Sequence, residues 1–366
     1  MTTPLHDEFK TAQQHINLNS RERVAIAAHL EVRAVLSASA ALVGRGLDDV
    51  LIGSYPRHVT IWPGRDVDVF GKLTAETIDS ISPAAAYQLF LDVLTAAFGG
   101  RVEPQPRSVK VKYVGGFLPD LGFIRKAAEL LGEEKSGQGE AFDFSVDVVP
   151  AVRSGDVWAI PQSDPERWWR MAAAERWVRT DPEQLTSLTQ QMNGGLKIDG
   201  QGAYVPTVKA VRQIRSWYLG KVKPGGLFFE LIVYEGFDTG QITGSSWAEV
   251  TASALAYVAA RLPTITVRPV CDPAMGQAYA PAPEPAALAQ AALSFGGFAA
   301  DAQRALTLDA CPAAALWRRV FGENTHANGP VFPLPKNCRE DGTIMPATVA
   351  ANPLRGTNEA RGFGER

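Results

Sequence analysis

Gly53-Ser54-Tyr55-Pro56-Arg57-His58-Val59-Thr60-Ile61-Trp62-Pro63-Gly64-Arg65-Asp66-Val67-Asp68 is the stretch that decides how this chain is read. A Gly-Ser turn presents backbone N–H groups and a hydroxyl to an anion such as a triphosphate. Twelve residues beyond Ser54 begins Asp66-Val67-Asp68-Val69-Phe70, which reads as a strand. Side chains alternate along a strand, so Val67 and Val69 face a core while Asp66 and Asp68 share the opposite face. Paired carboxylates are the hard oxygen donors that Mg²⁺ takes while it keeps substrate phosphates in its shell. Mn²⁺ suits the same donors.

Acidic and apolar residues also alternate in solvated strands, so the pair alone is only moderately specific. A third acidic strand adds weight. In Phe142-Asp143-Phe144-Ser145-Val146-Asp147-Val148-Val149-Pro150, Phe144, Val146 and Val148 fall on one face and Asp143, Ser145 and Asp147 on the other. A two-metal site holds ions about 3.5–4 Å apart and clamps attacking and leaving oxygens together. It needs a carboxylate from a neighbouring strand, and Asp147 is the candidate. The chemistry expected is nucleotidyl transfer.

The Gly53–Asp68 stretch resembles the active-site turn and strand of the oligoadenylate synthase and cyclic GMP-AMP synthase superfamily. It is most similar to the bacterial branch, the CD-NTases of CBASS antiphage systems, whose pattern G-S-Y-x-R-G-T-x-I-x-P-x-x-D-[IV]-D it follows without a gap. Val146-Asp147-Val148-Val149-Pro150-Ala151 and Trp158-Ala159-Ile160-Pro161 resemble the third-aspartate strand and the segment after it. Later matches are Val211–Tyr218 to the helix ending in K-x-W, Phe228–Tyr234 to the next helix, Val270-Cys271-Asp272-Pro273 to the D-P segment, and Ala315–Gly322 to the closing helix. The collinear matches span roughly residues 10–334.

The resemblance implies an α/β + α protein. Residues 1–160 form a polymerase-β-like nucleotidyltransferase lobe with a mixed sheet, 161–334 a mainly helical lobe, and 335–366 a flexible tail. It implies Asp66, Asp68 and Asp147 as catalytic metal ligands, with Gly53, Ser54, Lys209, Arg212 and Arg215 at the nucleotide. Arg215 stands where the family has a triphosphate lysine, and arginine prefers bidentate contacts. With Glu230 as anchor, the family's Ser-aromatic pair falls on Gly226 and Leu227, and Phe228 is the remaining ring for stacking on a base. His58 and Val59 replace the family's Gly-Thr. Tyr234 is a weaker candidate for touching a base, and His58 for reaching a phosphate.

Composition fits a soluble, cytoplasmic enzyme: 366 residues, 46% apolar and 20% charged. The N-terminus lacks a signal peptide's apolar core, and no run of about 18 apolar residues suggests a membrane span. Cys271, Cys311 and Cys338 have no metal or redox spacing and read as buried or incidental thiols. A net charge of −3 argues against a nucleic-acid activator. Basic residues do gather at Arg101–Lys112, as on a solvated face, and at Lys209–Lys223, where Lys209, Arg212 and Arg215 share a helix face.

Along the chain, Arg21 to Leu42 reads as a helix capped by Asn19 or Ser20. Strands are expected at 49–53, 66–70, 107–114 and 142–149, with a helix near 83–98. Residues 115–141 read as a surface insertion with a helix around Ile124–Leu131. Beyond Pro161, helices are expected at 181–193, 205–219, 227–236, 247–261, 284–310 and 312–321. Trp168, Trp169, Trp177, Trp217 and Trp317 are expected to pack within or between lobes.

The expected function is the joining of ribonucleoside triphosphates into a cyclic di- or trinucleotide with release of pyrophosphate. As the resemblance has it, that product acts on a downstream effector in antiphage signalling, with a regulatory protein as a possible partner. The terminal Gly364-Glu365-Arg366 counts against conjugation of the C-terminus. Two alternatives stay open: transfer to an RNA end or a protein acceptor, and a scaffold that binds nucleotide without turnover.

Overall fold

The computed structural model describes residues 5–19, 21–115, 117–132, 143–163, 174–220 and 224–345. In chain order these form α1 (His6–Ile16), α2 (Arg21–Ala38), α3 (Ala40–Val43), β1 (Leu47–Ile52), β2 (Asp66–Thr77), α4 (Pro83–Phe98), β3 (Val102–Pro104), β4 (Val109–Tyr113), α5 (Leu121–Leu131), β5 (Phe144–Ser154), β6 (Val157–Ser163) and β7 (Ala174–Thr180). Helices α6 (Pro182–Gly194), α7 (Tyr204–Leu219), α8 (Gly226–Asp238), α9 (Trp247–Arg261), α10 (Pro285–Ala305) and α11 (Ala310–Phe321) follow, with short hairpins between them.

The first lobe is built on a mixed sheet ordered β1-β2-β5-β4-β3, with β6 beside β5 and β7 beside β6. Strands β2 and β5 run parallel; their neighbours are antiparallel. Alternation works as the sequence implies: Val67, Val69, Val109, Val111, Val146 and Val148 are buried under α2 and α4, against Val32, Leu36, Tyr87 and Phe90. Local chemistry sets the helix starts. Ser82 accepts a hydrogen bond from Ala85 N at 3.2 Å with Pro83 at the first helical position, and Asp181 accepts one from Gln184 N at 2.9 Å before Pro182. Asn19 does not cap α2 in this way, because its amide donates to the carbonyls of Gln14 and Asn17; Ser20 lies outside the described residues.

Three features differ from the expected layout. The sheet runs past 160 to Thr180, so the helical part begins at Pro182. Helix α1 belongs to the helical core: Phe9, Ala12 and Ile16 pack with Trp317, Phe321 and Phe332. Residues 335–345 lie against α11, where Cys311 and Cys338 are joined as a disulfide with Cα atoms 5.2 Å apart. Those two cysteines are therefore not thiols; a separation of 27 residues carries no spacing signal, and tertiary folding brings them together. Cys271 is free and exposed. Among the described residues no helix is long and apolar enough to cross a membrane. Trp168, Trp169 and the residues from 346 onward fall outside the described part.

Candidate active site

The parallel pairing of β2 with β5 sets Asp66 opposite Ser145 and Asp68 directly opposite Asp147, so all three carboxylates meet on one face of the sheet. Gly53, at the end of β1, turns with φ +75°, and a Cβ there would stand 2.0 Å from Asp68 Oδ2. Only glycine brings the turn this close to the carboxylate. The Ser54 hydroxyl is 2.9 Å from that of Thr60, which holds the turn's shape.

Burial, with the crowding of like charges, raises the pKa values of Asp68 and Asp147. Burial, then the charges of Asp66 and Asp147, push Asp68 up to about 8 against the pull of Arg57 and Lys110. Burial pushes Asp147 up to about 6; Lys110 opposes, while Asp66 and Glu103 add to the rise. Asp147 Oδ1 is buried without a hydrogen-bond donor, and the Lys110 ammonium stands 4.0 Å from it. Among the described residues no cluster of three or more His, Cys, Asp or Glu side chains is closed as a metal cage. The donors nevertheless fit a divalent cation: an orphaned carboxylate oxygen and mutually repelling carboxyls are what an oxygen-seeking ion relieves.

Of the three cations expected at the nucleotide, Arg212 is electrostatically coupled to Asp66. Its Nη1 lies 3.4 Å from Glu230 Oε2. A Cβ at Gly226 would stand 3.0–3.1 Å from the Arg212 guanidinium, so a glycine here makes room for the arginine. Arg215 Nε donates to the Pro224 carbonyl at 3.1 Å. Lys209 donates to Asn17 Oδ1 at 2.8 Å and lines a separate polar recess of 280 Å³ with Tyr55, His58 and Thr60. Burial lowers its pKa to about 8.

Phe228 is buried in the helical core against Phe229 and Tyr279, so it does not supply a stacking face. Leu227 lines a recess of 240 Å³ with Arg107, Val178, Thr180, Asp272 and Tyr279. Tyr234 packs edge-on against Tyr204. Trp317 is a core residue, but Trp217 is 48% exposed. Its ring fills the space a Gly322 side chain would take.

No family model matches the sequence, and no curated protein matches it. Solved structures do. Bradyrhizobium diazoefficiens CD-NTase CdnG in complex with GTP superposes with a TM-score of 0.64 at 12% identity, covering 89% of this chain and 98% of that one. E. coli MS115-1 CdnC with ATP gives 0.61 at 15%, covering 90% and 98%. Vibrio cholerae DncV, a cyclic AMP-GMP synthase, gives 0.53 at 11%, covering 87% and 86%. The fold is the CD-NTase fold.

Within this CD-NTase fold the structure adds a link that residue-by-residue reading missed. Arg57, between the Gly-Ser turn and Asp66, donates to Glu230 of α8 through Nε at 2.7 Å and Nη2 at 3.1 Å. Both side chains are buried, at 4% and 1% exposure. Burial alone would lower the Arg57 pKa, but the charge and hydrogen bonds of Glu230 outweigh it and raise the value. The charge of Arg57 acts on both Asp68 and Asp272, and Asp272 lines the 240 Å³ recess. The available signal was that Arg57 and Glu230 each sit inside a matched motif.

Proposed function

We propose that this chain is a metal-dependent nucleotidyltransferase that joins ribonucleoside triphosphates into a cyclic di- or trinucleotide in antiphage defence signalling. The observation that carries it is the register of Asp68 against Asp147 on parallel strands, with Asp66 on the same face and the Gly53-Ser54 turn in contact with Asp68. Asp66, Asp68 and Asp147 would hold one or two Mg²⁺ or Mn²⁺ ions. When bound, such ions lower the pKa of an acceptor hydroxyl and neutralise the departing pyrophosphate.

The chain's own groups supply positioning and fixed charge, the main contributions to phosphoryl-type transfer. The turn N–H groups and the Ser54 hydroxyl orient the terminal phosphates. Arg212, held by Glu230, faces the phosphates from α7. A base fits the recess beside Tyr279 and Leu227, with Thr180 and Asp272 offering polar contacts. The linked test is pyrophosphate release from the four ribonucleoside triphosphates. Release is expected with Mg²⁺ or Mn²⁺ and not in EDTA, and Asp147→Asn should reduce it about a hundredfold or more while the circular dichroism spectrum is unchanged. Undiminished release by a folded Asp147→Asn would contradict the proposal.

A further inference from the structure

A recess of 610 Å³ lies outside the reaction cleft, between the Trp62–Arg65 segment, α7 and the hairpin 323–330. Hydrogen bonds tie its three walls together. Trp62 Nε1 donates to Thr325 Oγ1 at 2.8 Å, and Gln213 Nε2 donates to the carbonyls of Phe321 at 3.2 Å and Glu323 at 3.1 Å. Arg21 and His326 pack against the Trp62 ring, at 4.8 and 4.9 Å from its centroid. The recess is thus a built cavity and not a gap between loose loops.

Its chemistry is specific. Trp217, 48% exposed, lines the recess with Gly322 close against its ring and supplies the aromatic surface there. Around that platform stand Ser216, Glu323 and Asn328, a rim of hydroxyl, carboxylate and amide. Exposed Arg65 provides a cation on the side next to Asp66. An aromatic platform accepts the face of any base, the rim suits the hydrogen-bonding edge of one, and arginine suits a phosphate. The volume falls in the range of small-ligand sites.

We propose that this recess is a third nucleotide position, with the base on Trp217 and the phosphate toward Arg65. It does not depend on the chemistry proposed for the cleft. Because Arg65 immediately precedes Asp66, and its carbonyl accepts the Ser145 N–H at 2.8 Å, occupancy bears directly on the segment that carries the first carboxylate.

Photolabelling of the full chain with 8-azido-ATP in EDTA, followed by peptide mapping, tests this. Label is expected on peptides that contain Trp217 or residues 323–329, in addition to any in the cleft. Trp217→Ala should reduce that label about tenfold, and Trp217→Phe, which keeps a ring, should retain most of it. ATP should compete better than a short oligoadenylate, and the reverse order would overturn a free-nucleotide site. Label confined to cleft peptides would overturn the third position and leave the cleft proposal standing. Label in the recess and none in the cleft would support the recess position, since the cleft as proposed takes nucleotide together with a divalent cation that EDTA removes.

Discussion

Asp68 shows how much chemistry one position concentrates. It is half-buried, it repels two neighbouring carboxylates, and a glycine turn presses on it. In metal-free protein that crowding opposes folding, so Asp68→Asn should raise the melting temperature in EDTA while it removes turnover; a lower melting temperature would contradict the crowding. His29 gives a pH signature. Burial, then the Arg33 charge, lower its pKa from 6.5 to about 4. The unfolded chain therefore takes up the proton first as pH falls. Its contribution is complete above about 6.5 and is lost as pH drops toward 4, by about 3 kcal/mol. In urea unfolding, His29→Leu should flatten the stability curve across this window, and parallel curves would contradict it. That Asp66, Asp68 and Asp147 share one face of the sheet was legible in the sequence, because strand alternation sets it. The pKa of His29 was not, since burial is a property of packing.

At the scale of elements, Arg57 and Glu230 fasten the active-site turn to α8 across 173 residues. Removal of one partner from a buried pair strands the other charge. Glu230→Gln should therefore cost about 3–5 kcal/mol in urea unfolding, and Arg57→Met with Glu230→Leu should cost markedly less. Equal losses in both would show that packing, not charge, sets the cost. Helix starts were largely readable: α4, α6 and α9 begin within a residue of their expected starts at 83, 181 and 247. The longer reach of β2 and β5, to Thr77 and Ser154, was not readable, because pairing with a neighbouring strand and not local alternation sustains those ends. Trp217 was misplaced for a related reason. Helical spacing gives a residue's direction, but whether anything covers that direction depends on the hairpin at Gly322.

At the scale of the molecule, the motif order gave the lobe sequence, and the structure redistributed its edges. Helix α1 joins the helical core although it is first in the chain, and the sheet continues into β7. No local pattern states which distant core an amphipathic helix will join. The disulfide offers a direct check of this wider arrangement. Iodoacetamide on denatured, unreduced protein should label Cys271 alone, and label all three cysteines after reduction; three labels before reduction would contradict the pairing.

We propose that three carboxylates on β2 and β5 make this protein a cyclic oligonucleotide synthase. The most direct test is incubation of the purified chain with all four ribonucleoside triphosphates and Mg²⁺ or Mn²⁺, then phosphatase treatment and mass spectrometry. The account predicts a phosphatase-resistant cyclic product that disappears in the Asp66→Ala, Asp68→Ala double variant. The same product from the folded double variant, or only linear or protein-attached nucleotide from the wild type, would contradict it.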